Sequence, residues 1–437
     1  MKIKPRLLKG FRDFIGDDLK IRKVIFALFE ETFQKYGYEP LETPALEYFD
    51  ILMGKYGEEE KLVYQFKDHG DRQVAMKYDL TVPTARVMAQ YQDTIKLPWK
   101  RYQIQPVWRA DNTQKGRFRE FYQLDADTFG VESCIVDAEF IDMGIEILKK
   151  LGFKDFKVRL NSRNILNGIV KYAGREDKLF EIIYAIDKWD KMPIDETRAN
   201  LLSRLKSDKF TEKQIKEQVD RILSCVELVG TNIEKLNKLE ILLKGIPEGE
   251  KGVKETKDII NLYSVNPDYI AYDATIARGL AYYTGPIWEF NIIEGGVGSV
   301  AGCGRYDKLV GQFIGRDIPA TGGSFGIERI IEVMKDRDML KTLLPKSNKI
   351  LVIALNEEVL KYAYQVSDRI RKSGCNVTLY PLVQKPGKAI TYALDKGFDK
   401  IVILGENEIR DGLFTVKNLT SKEQKTVSYD ELISYIS

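Results

Sequence analysis

Residues 99–130, WKRYQIQPVWRADNTQKGRFREFYQLDADTFG, contain two strand-like runs around a polar loop. RYQIQPVWRAD (101–111) and REFYQLDADTFG (119–130) are rich in aromatic and β-branched residues, and NTQKGRF (112–118) between them is polar and carries a glycine. That pattern predicts an antiparallel hairpin with a long loop. Six basic residues, Lys100, Arg101, Arg109, Lys115, Arg117 and Arg119, stand against one acid, Asp111, between positions 100 and 119. This +5 cluster lies in a chain of net charge +3. Arg109 ends one strand and Arg119 opens the other, so the pair could clamp a polyphosphate from a rigid platform. Phe121 falls on the same face as Arg119 and could stack on a purine. A solvated basic turn fits the same composition, and the residues alone leave both readings open.

Outward from the hairpin the pattern alternates helix and strand. VDAEFIDMGIEILKKLG (136–152) reads as the following helix. Upstream, RQVAMKYDLT (72–81) reads as a strand and VPTARVMAQYQ (82–92) as a helix. YEPLETPALEY (38–48) reads as one strand with Pro44 at its exit. The first helix spans IRKVIFALFEETFQKY (21–36), with Asp17 or Asp18 as its cap and Gly37 as its end. Residues 172–262 change to a Lys/Glu-rich helical pattern and read as a helical insertion. Strands and glycines return in YDATIARGLAYYTGPIWEFNII (272–293), GGVGSVAGCGRYDKLV (295–310) and GGSFGIERIIEVM (322–334). Beyond the linker LPKSNK, three short apolar strands (KILVIAL, NVTLYPL, KIVILG) enclose two helices. That is a βαβαβ unit with a largely parallel sheet, spanning 345–437 and carrying a mild positive excess.

Composition removes several chemistries. The 437 residues, 44% hydrophobic and 30% charged, suit a soluble chain of about three domains. The one histidine, His69, rules out an HExxH zinc site, and its DHGD setting reads as a turn rather than part of a Ser-His-Asp triad. Cys134, Cys225, Cys303 and Cys375 form no CxxC pair, which fits a reducing, cytoplasmic setting. Neither a signal peptide nor an apolar run long enough to span a membrane is present. No P-loop occurs, and GGVGSVAGCG reads as a glycine-rich strand and turn. Arginines are outnumbered by lysines, so Arg278 before GLAYYTG and Arg329 in FGIERI draw attention as planar anion-binding forks. Asp79, Asp125, Asp127 and Glu328 could hold an ammonium group or a metal, or stand as ordinary surface carboxylates; no metal ligand set is named by the residues. Gln123, Asp125 and Asp127 share one strand face. Tyr282, Tyr283 and Tyr306 suit either a core or a ligand pocket.

Taken together these segments resemble class II aminoacyl-tRNA synthetases, and within them the histidyl-tRNA synthetase family. Residues 19–44 with Pro44 look like the first class II motif, Arg109-Ala110-Asp111 through RFREF like the second, and GGSFGIER with Arg329 like the third. KGFRDF, MKYDLTVPTAR, RGLAYYTG and AGCGRYDKLVG are similar to stretches of histidyl enzymes, and the resemblance covers nearly the whole chain. It implies an α+β catalytic core on an antiparallel sheet (1–171 and 263–343), a helical insertion (172–262) and a C-terminal α/β anticodon-binding domain (345–437). The implied activity joins histidine to tRNA(His) through an adenylate, with ATP and Mg²⁺, in a cytoplasmic homodimer and with no membrane association.

The resemblance also implies roles. Arg109 would hold the ATP α-phosphate, Asp111 the adenine amino group, and Phe121 would stack on adenine; Arg117 and Arg329 would take the γ-phosphate end. Arg109, Arg278 and Arg329 would be the catalytic cations, Arg278 also touching the substrate carboxylate. Asp79, Thr81, Gln123 and Asp127 would bind the amino and carboxylate groups of histidine, and Tyr282, Tyr283 and Tyr306 would shape its imidazole pocket. Three departures stand out: Ala281 where the family has Asp, Cys303 for Gly, and Lys77 for Arg. A rival reading is a catalytically silent, histidine-sensing relative; the presence of all three arginines and of residues 345–437 argues against it.

Overall fold

The computed structural model describes residues 3–189, 193–262, 267–277, 282–344, 349–383 and 385–436. The chain divides into two compact units, residues 1–343 and 344–437. In the first, one sheet has its strands in the order Glu39–Pro40, Trp99–Trp108, Glu120–Phe129, Ala320–Gly326, Ala301–Arg305, Pro286–Ile292, Phe156–Ser162 and Ile270–Tyr272. The inner strands pair antiparallel, and each edge strand pairs parallel with its neighbour.

The hairpin of the sequence reading forms the heart of this sheet, and its closing bond runs from Arg109 N–H to Arg119 O at 2.9 Å. Residues directly opposite in an antiparallel pair share a face. Arg101 opposes Asp127, Gln103 opposes Asp125 and Gln105 opposes Gln123, so one face is polar. Tyr102 opposes Ala126 and Ile104 opposes Leu124, so the other is mainly apolar. The helices Asp17–Lys35 and Ile135–Lys150 cover that apolar face. Phe29, Phe33 and Phe140 meet Phe325, Tyr102 and Trp288 there with ring centroids 5.2–6.2 Å apart. Each such fully buried ring contributes roughly 1.5–3 kcal/mol. Gly144 lets the second helix sit down on the sheet, since a Cβ there would lie 2.2 Å from Phe290 Cζ.

Two local expectations are corrected. The first helix starts at Asp17 with Gly16 as N-cap and no side-chain cap; Asp17 and Asp18 stand in its first turn, where the exposed N–H groups favour acids. The expected strand 38–48 splits. Glu39–Pro40 joins the large sheet, whereas Leu46–Tyr48 joins a three-stranded sheet with Gln73–Met76 and Gln65–Lys67. Pro40 and Pro44 lack the N–H groups a continuous ladder would need. His69 lies in the turn of the second sheet, where Asp68 Oδ1 accepts from the N–H of Gly70 and Arg72.

Residues 163–262 supply helices Arg163–Tyr172, Leu179–Asp187, Ile194–Arg204, Glu212–Val226, Asn232–Leu242 and Pro247–Leu262. Thr211 with Gln214 and Thr231 with Glu234 form capping boxes. The apolar side chains of these helices join a cluster that continues through Tyr78, Val82, Tyr283 and Tyr306 of the core. In the second unit, Asn376–Leu379, Lys349–Ala354 and Lys400–Leu404 run parallel, with Glu357–Lys372 and Pro386–Asp395 as the connecting helices. Leu413–Asn418 and Gln424–Ser428 extend the sheet antiparallel, an addition to the expected unit. The last strand, QKTVS, gives little apolar signal because it is largely solvent-exposed.

Candidate active site

The polar sheet face is also a glycine face. Gly302, Gly304, Gly322 and Gly326 stand in register with Ser324, Gly322, Asp127 and Gln123, respectively. At Gly322 a Cβ would lie 2.3 Å from Asp127 Oδ1, so only glycine lets the carboxylate lie across the strand. A pocket of about 270 Å³ opens above Gly302, Gly322 and Gly326.

One end of the pocket is cationic. Arg109, Arg117 and Arg329 all line it, together with Asp111 and Phe121. The Arg109 guanidinium lies 4.2 Å from the Tyr78 ring centroid and 5.2 Å from that of Phe121, and its Nε donates to Tyr78 O at 2.9 Å. Two rings and one carbonyl thus fix its plane. Arg117 reaches Asp111 through Nε and Nη2, both at 2.9 Å, a bidentate pair that orders the loop. Arg329 Nη1 donates to Ser299 O at 2.6 Å. Gly116 keeps the loop against Arg329, whose Cγ would be 3.2 Å from a Cβ there. The expected clamp partner Arg119 does not line the pocket; its Nε donates to Asp111 O. The hairpin ends one residue before Arg109 and begins one residue after Arg119, so the two side chains do not project as a strand pair.

The other end is acidic and aromatic. Asp79, Thr81, Gln123, Asp127, Tyr282, Tyr283 and Tyr306 line it. Asp79 precedes the helix Thr81–Gln90; its Oδ1 accepts from Tyr56 Oη and from Val82 N–H, and burial raises its pKa. Asp127 is ion-paired to fully buried Arg101 and accepts a hydrogen bond from Tyr306 Oη. Burial raises the Asp127 pKa against the pull of that arginine and that hydroxyl. Gln123 Nε2 donates to Ser324 Oγ at 2.7 Å, and its Oε1 is buried with no protein partner among the described residues. The Tyr282 ring lies 4.9 Å from Tyr283 and 5.8 Å from Tyr306. Arg278 and Ala281 lie outside the described residues.

Beneath the lining is a second polar layer that sequence reading did not assemble. Gln103 joins Arg101, Thr84, Thr43 and Gln105, and buried Lys77 donates to Thr43 O and Gln105 Oε1, both at 3.0 Å. Burial lowers the Lys77 pKa to about 8. Asp125 belongs to this layer rather than to the pocket wall, and burial raises its carboxyl to about 8. A carboxyl near 4 when unfolded and near 8 when folded holds a proton that only the folded chain keeps, so its contribution is present in acid and is lost as pH rises to about 8. Asp125→Asn carries no such proton. The Tm of Asp125→Asn relative to the unsubstituted protein should therefore climb from pH 5 to pH 8 and then level off. A difference that stays flat across that range would contradict the assignment.

Glu59 and Glu328 also line the pocket. Glu59 accepts from Tyr78 Oη. Glu328 accepts from Arg22 at 2.8 and 2.9 Å and from Arg12 at 2.6 Å. The arginines sit more than 300 residues away in sequence, so no local pattern could have named them.

The histidyl-tRNA synthetase family profile matches residues 10–330, and an anticodon binding domain profile matches 349–437. The chain belongs to the histidyl-tRNA synthetase family. The histidine–tRNA ligase of Cytophaga hutchinsonii is 38% identical over 98% of this chain and 99% of its own length. That of Phocaeicola vulgatus is 36% identical over the whole of both chains. The crystal structure of histidyl-tRNA synthetase from Nostoc sp. PCC 7120 superposes with a TM-score of 0.83 at 28% identity, covering 100% of this chain and 99% of the other. The family fold is thus the class II core on an antiparallel sheet with a C-terminal anticodon-binding domain, as the sequence motifs implied.

Proposed function

We infer that this family member is a histidine–tRNA ligase, using ATP to form histidyl-adenylate and pyrophosphate and then passing histidine to the 3′ end of tRNA(His). The observation that carries this reading is the two-ended pocket: Arg109 and Arg117 of the hairpin with Arg329 of a helix at one end, buried carboxylates and tyrosines at the other. A carboxylate oxygen of histidine attacks the α-phosphorus, the bond to the pyrophosphate oxygen breaks, and a ribose hydroxyl of tRNA later displaces AMP from the carbonyl. No covalent enzyme intermediate is required. The protein's work is positioning and stabilisation of charge. Arg109, held against two rings and a carbonyl, suits the α-phosphate. Arg117 and Arg329 suit the terminal phosphates, with Arg278 as a further catalytic cation. Phe121 and Asp111 suit the adenine. Asp79, Thr81, Gln123 and Asp127 suit the ammonium and carboxylate of histidine, with Tyr282, Tyr283 and Tyr306 around its imidazole.

Magnesium belongs to this reading as part of the substrate MgATP. Among the described residues no three acidic, histidine or cysteine side chains cluster as a cage. Of the acids facing the pocket, Asp111, Asp127 and Glu328 hold arginines, and Glu59 and Asp79 accept from tyrosine hydroxyls. Magnesium commonly keeps waters and binds through substrate phosphates, so no dedicated protein cage is needed. We read 1–171 with 263–343 as the catalytic core, 172–262 as the insertion and 345–437 as the anticodon module. We place the protein in the cytoplasm as a homodimer; no helix among the described residues is long and apolar enough to cross a membrane.

The deciding experiment is histidine-dependent exchange of labelled pyrophosphate into ATP. Exchange with histidine and Mg²⁺, and none with other amino acids, is the expected result. Absence of exchange would leave the histidine-sensing reading in its place.

A further inference from the structure

The N-terminal segment 10–14, Gly-Phe-Arg-Asp-Phe, touches both the hairpin and the helix that carry the pocket's arginines. Gly10 O accepts from the N–H groups of Arg119 at 2.9 Å and Glu120 at 3.4 Å, so the segment is bonded to the hairpin at its loop end. Gly10 has φ +88°, and a Cβ there would lie 2.7 Å from Arg119 Cγ, so glycine is what allows this close approach. Two residues on, the Arg12 guanidinium lies 3.2 Å from the Phe118 ring centroid and 4.8 Å from that of Phe14. The same guanidinium donates to Glu328 Oε2 at 2.6 Å. Phe118 and Glu328 both line the pocket, whereas Arg12 does not. Phe118 follows Arg117 in the loop, and Glu328 precedes Arg329 in the helix Ile327–Asp336.

We propose that residues 10–14 form a strap that holds the phosphate-binding loop against the helix bearing Arg329, with Arg12 as its positioning residue for ATP. The proposal rests on the reading of the cationic end as the ATP end. Its physical basis is that one planar cation satisfies two partners on different elements: it stacks on Phe118 of the loop and pairs with Glu328 of the helix. Without it the loop has to be ordered by ATP itself, and that ordering is subtracted from binding. Glu328 would not be left bare, because Arg22 grips both of its oxygens independently at 2.8 and 2.9 Å. Arg12 is part-exposed and the Arg22–Glu328 pair is buried, so the two functions are separable.

Calorimetric titration of the full chain with ATP and, separately, with histidine tests this. Arg12→Ala should weaken ATP roughly tenfold, the scale expected for losing a stacked, charge-assisted contact, while histidine binding stays within about twofold. Arg12→Lys, which keeps a cation for Glu328 but lacks the flat fork, should recover part of the loss. Phe118→Leu should weaken ATP similarly, and the double variant should be no weaker than the worse single one. ATP affinity unchanged in Arg12→Ala, or ATP and histidine affinities falling together, would overturn the strap, as would a parent protein that binds no ATP. A parent that binds ATP but does not exchange pyrophosphate would fault the ligase reading alone, since the strap is judged on binding.

Discussion

Arg109→Ala should exchange pyrophosphate about 10²–10³-fold more slowly than the unsubstituted protein, the loss typical of one preorganised charge-stabilising donor. The structural ground is the contact of its guanidinium with the Tyr78 and Phe121 rings, with Nε tied to Tyr78 O. A side chain so fixed need not reorganise as charge builds on the α-phosphate, so its effect falls on the transition state. The loss should therefore appear in kcat more than in the KM for ATP. Arg109→Lys should rescue little, because an ammonium cannot reproduce the planar fork or its stacking on a ring. Equal losses in kcat and in ATP affinity would reassign Arg109 to ground-state binding. The melting temperature serves as the control for a loss of folding.

Asp127→Ala is expected to cost about 3–5 kcal/mol of stability, because it strands the charge of Arg101 in a site with no solvent access. It also removes the acceptor of the Tyr306 hydroxyl. Denaturant unfolding of the single variant should reveal the full loss. The double variant Arg101→Leu/Asp127→Leu should recover much of it, since an apolar pair of similar volume leaves no buried charge unmatched. Histidine-dependent exchange should stay abolished in both. A double variant as unstable as the single would show that Asp127 is held by something other than its ion pair, and recovered exchange in the double would remove Asp127 from the substrate pocket.

The two experiments bear on different layers of one site, and the layers differed in legibility. Arg109, Asp111, Arg117, Phe121, Gln123 and Asp127 fall within 19 positions of one hairpin, between 109 and 127; strand alternation spoke for Phe121, Gln123 and Asp127, while Asp111 and Arg117 rested on family resemblance. Asp79, Thr81, Tyr282, Tyr283, Tyr306 and Arg329 came from separate segments, and their grouping rested on family resemblance; they line one pocket. Arg119 was misplaced because the period-2 argument was carried one residue past the end of the strand. Arg101 and Gln103 alternate with Tyr102 and Ile104 and carried a legible signal. Polar side chains on a strand ordinarily mean a solvated face, however, and here Arg101 and Gln103 are fully buried beneath the pocket lining.

What the sequence determined by itself was local. The period of each run gave helix or strand, glycines and prolines marked most boundaries, and the βαβ alternation after residue 349 gave the second unit its parallel core. These properties depend on neighbours a few positions apart, which the chain brings together whatever its overall path. Only tertiary structure decided which face of the hairpin became a pocket. Gly302, Gly322 and Gly326, from strands far along the chain, lie in the sheet beside the polar side of the hairpin and line the open space. It also decided that Glu328 would answer to Arg12 and Arg22, across separations of 316 and 306 residues. A charge chooses its partner by distance and dielectric, and both are fixed only once the sheet and its covering helices have closed around it.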